Sequence, residues 1–469
     1  MQIAGKLLIS AHFYWDLCAV QNPKNLKKTE KFYFYTAKVQ TLSSMKRYLP
    51  LLSVAIVVTI FNSGCSHSSW DDYRGQLLGV QDRPEWEPIN PFGMVYIPSG
   101  TLHIGPSDQD VNNSLWQRTK SISIQGFYMD DAEITNNEYR QFVFWVRDSI
   151  AHVLLEDYNE GDENTEEPTI DWSQEIEWDD EETAQTLDEM FLQGSDTYYG
   201  HKQLDTRQLV YTYRWARWKD AARYENADKN IGDFIELEPV SIYPDTMVWV
   251  RDFTYSLNEP MTRQYFSHPA FDDYPVVGVK WKQGNAFAAW RTVFWNEWRR
   301  MHGEEIVDDF RLPTEHEWEY AARGGRDEAP YPWGGPYVRN TKGCFLANFK
   351  PGRGNYPEDG GYYTVKVYSY APNDFGLYNM AGNVSEWTST AFVENSYSFI
   401  HDENPDYRYD AQDSDPPALK RKVIRGGSWK DISYYIQTGS RHWEFQDTAK
   451  CYIGFRCCMT FLGRSMSDF

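Results

Sequence analysis

The stretch that most limits how this chain can fold is residues 310–324, FRLPTEHEWEYAARG. Thr314 followed three residues later by Glu317 is a capping box, which satisfies free amides at a helix start. Gly324 closes the run, because glycine takes up the left-handed helix cap without a Cβ penalty. The run therefore predicts a short helix bounded at both ends. A second capping box, Thr135 with Glu138, precedes Tyr139, Phe142, Val143, Val146, Ile150 and Val153 at helical spacing. It predicts a helix ending near Asp157. Residues 282–302 read as a third helix, with Ala286, Ala289, Trp290, Val293, Phe294 and Trp298 on one apolar face and Gly303 as its stop. Residues 93–100 alternate apolar side chains before a Pro and a Gly, which predicts a strand and a turn.

The 469 residues carry a net charge of −22 and a pI near 4.9. Phosphate attraction needs a basic surface, so the chain is too acidic overall to suggest a nucleic-acid partner. Aromatic residues make up 16% of the chain, enough bulk for a core and for contact surfaces besides.

The N-terminal region reads as targeting. Residues 1–44 show no periodic pattern and are taken as a mis-annotated extension, with Met45 the true start. Lys46 and Arg47 precede an apolar run, residues 48–61, and then Asn62-Ser63-Gly64-Cys65. A short apolar run behind positive charge predicts a signal peptide over 45–64, too short for an ordinary membrane span. Cysteine after Ser-Gly predicts lipidation at Cys65 and a membrane-held N-terminus. The polar, proline-punctuated residues 65–92 then form a tether. Of the six cysteines, maturation would remove Cys18 and lipid would occupy Cys65, which leaves Cys344, Cys451, Cys457 and Cys458. An oxidising compartment permits a disulfide among them.

Residues 151–200 hold seventeen Asp or Glu and no Lys or Arg. Charge alone argues for disorder. The interspersed Trp172, Ile176, Trp178, Met190 and Phe191 argue for packing on the domain or docking on a partner. Residues 205–225 turn basic and aromatic, so this acidic insertion, about 151–242, can fold back on itself.

Several further runs recur in order: residues 126–130 (GFYMD), 133–139 (EITNNEY), 331–334 (YPWG), 376–387 (GLYNMAGNVSEW), 423–429 (VIRGGSW) and 454–457 (GFRC). Together with residues 310–324 they resemble the formylglycine-generating enzymes and their sulfatase-modifying relatives. The resemblance spans about Gly93 to Cys457 and implies one domain over 93–460. The fold it implies is α+β, irregular and loop-rich, related to C-type lectins. In that family the segment R-G-G-S-(W/Y)-x-C-x-x-x-x-C supplies two cysteines that bind copper and oxidise a substrate cysteine. Here Asp431 and Ile436 stand at the two cysteine positions. Thiolates are the soft ligands for Cu(I), and a carboxylate with an aliphatic side chain does not replace them. The resemblance therefore implies a scaffold with no copper and no catalysis. It also implies structural calcium, which takes six to eight oxygens. One set would be Asn379 and Glu386 with the carbonyls of Gly382 and Val384. The other would be Asn348 and Asp359 with the carbonyls of Phe349 and Gly361.

Residues 132–143, 243–266 and 268–283 are similar to one subgroup, the K-type gliding-motility lipoproteins of the type IX secretion system. That similarity implies a structural role on the periplasmic face of the outer membrane. It also implies self-association into a ring with a periplasmic N-type partner protein. The sister J-type lipoprotein, a lectin-like carbohydrate-binding module and a sulfatase-maturation oxidase are the alternatives, the last disfavoured by Asp431 and Ile436.

Overall fold

The computed structural model describes residues 88–105, 119–159, 169–197, 202–254, 259–352 and 354–463. The readings of residues 1–44, of the 45–64 signal, of Cys65 and of most of the 65–92 tether lie outside the described residues. Two four-stranded sheets organise the domain. The first has the order β1 (Met94–Ile97), β4 (Phe127–Asp130), β12 (Cys458–Thr460), β7 (Phe310–Arg311), antiparallel throughout. The second has the order β10 (His442–Phe445), β9 (Arg421–Arg425), β8 (Ser385–Ala391), β11 (Ile453–Gly454), with the β11–β8 pair parallel. Two hairpins complete the strands: β2 (Gly100–Ile104) with β3 (Lys120–Ile124), and β5 (Val210–Ala216) with β6 (Ile235–Ser241).

Strand β4 is buried along its whole length because the first sheet is covered on both faces. Side chains alternate across a strand, so Phe127 and Met129 join one apolar cluster and Tyr128 the other. The Phe127 side meets Trp318, Tyr320 and Ala321 of helix α4 (Glu315–Arg323). The Tyr128 side meets helices α1 (Asn136–Leu154) and α3 (Trp281–Met301). Tyr139 of α1 stacks on Phe287 of α3, with ring centres 5.6 Å apart, and its hydroxyl donates to the Ile242 carbonyl at 2.8 Å.

Both capping boxes form as the sequence predicts. Thr135 and Glu138 cap α1, Thr314 and Glu317 cap α4, and Gly324 sits at φ +59° as the left-handed stop of α4. The helix faces depart from expectation at three positions. Val153, Val293 and Phe294 are 46%, 43% and 44% exposed. The C-terminal half of α3 instead buries Thr292, Asn296 and Arg299. Its neighbour is the irregular backbone of residues 305–310, whose polar groups need partners. Asn296 accepts from Val307 N at 2.9 Å, Thr292 accepts from Phe310 N at 2.8 Å, and Arg299 donates to the Glu305 carbonyl at 2.6 Å.

The acidic stretch takes up structure over residues 169–197. Helix α2 (Glu181–Thr186) is N-capped by Asp180, which accepts from Glu182 N and Thr183 N. Leu187 and Met190 are buried against Ala151 of α1, and Trp172 stacks on Trp145 at 5.3 Å. The chain then folds back. Asp205 N donates to the Met190 carbonyl at 2.8 Å, and β5–β6 follows. Cys344, Cys451, Cys457 and Cys458 are free thiols, the first exposed and the others buried.

Candidate functional site

Strand β9 delivers Arg425 into a turn at Gly426 and Gly427, with φ of +88° and +66°. Side chains do not fit there. A Cβ on Gly426 would lie 3.1 Å from the Trp318 ring, and one on Gly427 would lie 2.7 Å from the Tyr435 carbonyl oxygen. The turn is closed by the residue at the first cysteine position. One carboxylate oxygen of Asp431 accepts from both Ser428 N, at 3.0 Å, and Ser428 Oγ, at 2.5 Å. The second position is closed differently. Ile436 is fully buried in an apolar cluster with Tyr331, Ala347, Phe349 and Ala381. An aliphatic side chain offers a metal no donor atom, so this pair of positions does not make a copper site. Burial pushes the Cys451, Cys457 and Cys458 thiols well above their ordinary pKa. The thiolate is the reactive form, and burial disfavours it at all three.

Beneath the turn lies a buried charge network that the sequence reading did not assign. Arg425 bonds Glu319, and Arg441 bonds Glu315 through two nitrogens, one of them at 2.8 Å. Arg323 Nη2 reaches Glu319 at 2.6 Å. Arg425 Nη1 also donates to the Ser440 carbonyl at 2.7 Å. Burial pushes the Glu315 carboxyl up, but Arg441 and Arg425 outweigh it and hold it at about 2. The network ties α4 to β9 and to residues 440–441. The signal for it was present: Glu315 and Glu319 are four apart on a helix whose other residues are largely aromatic or Ala.

The two proposed calcium sets fare differently. Asn379 Nδ2 donates to Glu133 at 2.8 Å and to the Val367 carbonyl at 2.8 Å. Both oxygens of Glu386 are held, by Arg456 Nη2 and Nε at 2.7 Å each and by Trp318 Nε1 at 2.7 Å. A dication at Glu386 would face a guanidinium in direct contact, so this set does not fit calcium. Gly382 and Val384 lie on the same turn, with Gly382 seated on the Asn348 carbonyl, where a Cβ would come within 2.2 Å. Neighbouring Glu133 accepts from Asn379 and Asn383, and burial raises its pKa to about 8 against the pull of Arg456. The second set fits better. Asp359 accepts from Phe349 N at 2.7 Å and Gly361 N at 3.1 Å, and burial raises its pKa. Asn348 Oδ1 is buried without a partner, and a Cβ on Gly361 would lie 2.9 Å from it. An orphaned amide oxygen in the neighbourhood of a half-buried carboxylate suits a hard cation.

The glycine turn and the Glu–Arg lattice beneath it sit between an antiparallel sheet and a mixed one. Residues 81–461 match the family model described as the sulfatase-modifying factor enzyme 1-like domain. The chain is a member of that family and has its mixed α/β, loop-rich fold. It is 26% identical over 385 residues to the formylglycine-generating enzyme of Bos taurus, covering 81% of this chain and 78% of that protein. It is 32% identical over 212 residues to the inactive C-alpha-formylglycine-generating enzyme 2 of Bos taurus, covering 42% of this chain and 57% of the relative. The solved structure of PvdO from Pseudomonas aeruginosa aligns over 78% of this chain and 94% of its own, at 17% identity and a TM-score of 0.42. The family thus includes proteins named as active and proteins named as inactive.

Proposed function

We propose that this chain is a non-catalytic structural lipoprotein of the type IX secretion and gliding machinery. Lipid on Cys65 anchors it to the periplasmic face of the outer membrane, and it builds a ring with an N-type partner protein. The observation that carries the non-catalytic part is the pair Asp431 and Ile436. One is committed to closing the Ser428 turn and the other is sealed in an apolar cluster. The secretion role is supported by the similarity of residues 132–143, 243–266 and 268–283 to the K-type lipoproteins. The acidic stretch is read here as an insertion into the family domain, and the tether before residue 93 as its link to the membrane.

Calcium, in this reading, is structural and is held by Asn348 and Asp359 with the Phe349 and Gly361 carbonyls; Glu386 serves Arg456 instead. Bound calcium would neutralise Asp359 and lock the loop it shares with Asn348. A ligand that binds the folded state raises the melting temperature by mass action. A chelator is expected to lower it in the wild type but not in Asp359→Asn, and an unchanged wild-type melt discards calcium.

The decisive experiment pairs two measurements on the full chain. A cysteine-containing sulfatase peptide is incubated with it, copper and oxygen, and no aldehyde product is expected by mass spectrometry. Formylglycine above background would make the protein an oxidase. Gentle extraction from outer membrane is expected to bring down a periplasmic ring partner, with a fatty-acid probe on Cys65. Absence of both label and partner removes the lipoprotein reading.

A further inference from the structure

Strand β9 buries a lysine completely, Lys422. Its Nζ donates to the Tyr409 carbonyl at 2.7 Å and lies 3.7 Å from the centre of the Trp281 ring. Charged groups face it from three sides, and most of them are engaged elsewhere. Asp410, Arg408 and Asp406 come from the segment that crosses it, with Asp406 bonded to Arg408 at 2.6 Å. Lys282 comes from α3 and is held by Glu238 at 2.8 Å. Glu444 is the register partner of Lys422 on β10, and its Oε1 accepts from Phe445 N at 3.0 Å. Among the described residues no carboxylate forms an ion pair with Lys422. A buried cation is ordinarily paired, because an unpaired one carries its full desolvation cost.

The crossing segment, residues 405–411, has no regular structure. It is fastened through its backbone carbonyls. Besides Tyr409, the Tyr407 carbonyl accepts from Ala391 N at 2.9 Å, the Arg408 carbonyl from Lys219 Nζ at 3.2 Å, and the Ala411 carbonyl from Gln446 Nε2 at 3.0 Å. Gln446 Oε1, on the same amide, is buried without a partner among the described residues. The seat therefore holds a cation without a counter-ion and an acceptor without a donor. Both are costs of the closed arrangement that water would relieve.

We propose that residues 405–411 are a strap whose seating is governed by the proton on Lys422: it stays seated while the amine is neutral and lifts while the amine is charged. Burial pushes the Lys422 amine down to about 8, despite the pull of Asp410. In water the amine regains its ordinary affinity for a proton, so lifting the strap takes a proton up. Lifting therefore becomes rarer as pH rises from about 8 toward the ordinary lysine range, and is level below it. The device needs neither the lipid anchor nor the ring partner, so it goes beyond the proposed function.

Trypsin cleavage after Arg408 in the full chain tests it, because a protease acts on the opened form. The product ending at Arg408 is followed by mass spectrometry. At each pH its rate is divided by that of a free peptide of residues 401–416, which removes the protease's own pH dependence. From about pH 7 to about pH 9.5 the wild-type ratio is expected to fall about tenfold or more. Lys422→Met keeps an unbranched stem without the charge, and should be cut slowly with a flat ratio. Lys422→Arg stays charged throughout and should be cut fast with a flat ratio. If arginine does not fit the seat, Lys422→Met alone decides. A wild-type ratio that does not change with pH overturns the proposal. So does a fall that persists in Lys422→Met, which would assign the pH dependence to another group.

Discussion

Two groups of carboxylates in this protein behave as opposites. Glu315 and Glu319 are wholly buried, and each is bonded to arginine. The acids of residues 171–197 are mostly exposed, and α2 among them is held by Leu187 and Met190 rather than by its charges. The same side chain is a fold determinant in one region and a surface property in the other. The difference is solvent. In the interior an ion without its partner carries its full desolvation cost, whereas at the surface water and salt screen it.

The largest effect should come from breaking the buried lattice. Arg425→Ala leaves Glu319 with a buried charge compensated only by Arg323, and is expected to cost about 3–5 kcal/mol in denaturant unfolding. A loss below about 1 kcal/mol would put Glu315 and Glu319 in the same class as the surface acids.

Acid should act on the same lattice. The Glu315 carboxyl is held down at about 2, below its unfolded value. Its stabilising contribution is complete above the unfolded pKa and is lost as pH falls toward 2. Glu133 runs the other way: with a folded pKa raised to about 8, it binds its proton more tightly when folded, so stability falls as pH rises through that value. Melting temperature against pH should therefore drop on the acid side, and Glu315→Gln should flatten that limb. An unchanged limb would show that Arg441 does not act on Glu315.

Next comes the apolar attachment of the acidic region. Leu187→Ala is expected to cost about 2–3 kcal/mol, at the low end for a buried leucine because the cluster is small. Replacing residues 171–197 by a Gly/Ser linker should also lower the melting temperature, since it strips Trp172 from Trp145 and uncovers Ala151. A shortened chain that melts with the wild type would mean that the region only rests on α1. The smallest effect should come from the exposed acids. Asp179→Asn with Glu182→Gln is expected to shift stability by under about 0.5 kcal/mol, measured in the same unfolding assay. A larger loss would erase the contrast between the two regions.

Local features were legible in the sequence. The capping boxes at Thr135 and Thr314, the Gly324 stop and the motifs that place the chain in its family involve residues close together along the chain. Hydrogen bonds of that range form from the sequence alone. The substitution of both cysteine positions was equally plain. What Asp431 and Ile436 do instead, closing a turn and filling a core, became clear only from their neighbours. The helix face of α3 was misread because apolar spacing was taken for burial. Thr292 and Asn296 go inward to satisfy backbone groups of a segment that periodicity does not describe. Glu386 looked like a calcium ligand until the fold brought Arg456 to it across seventy residues. Long-range pairing of charges is set by which surfaces the core brings together, and no spacing along the chain encodes that. So the sequence by itself determined the helix ends, the family and the missing thiols. The tertiary structure decided which charges are buried and with which partners, because burial is a property of the assembled core.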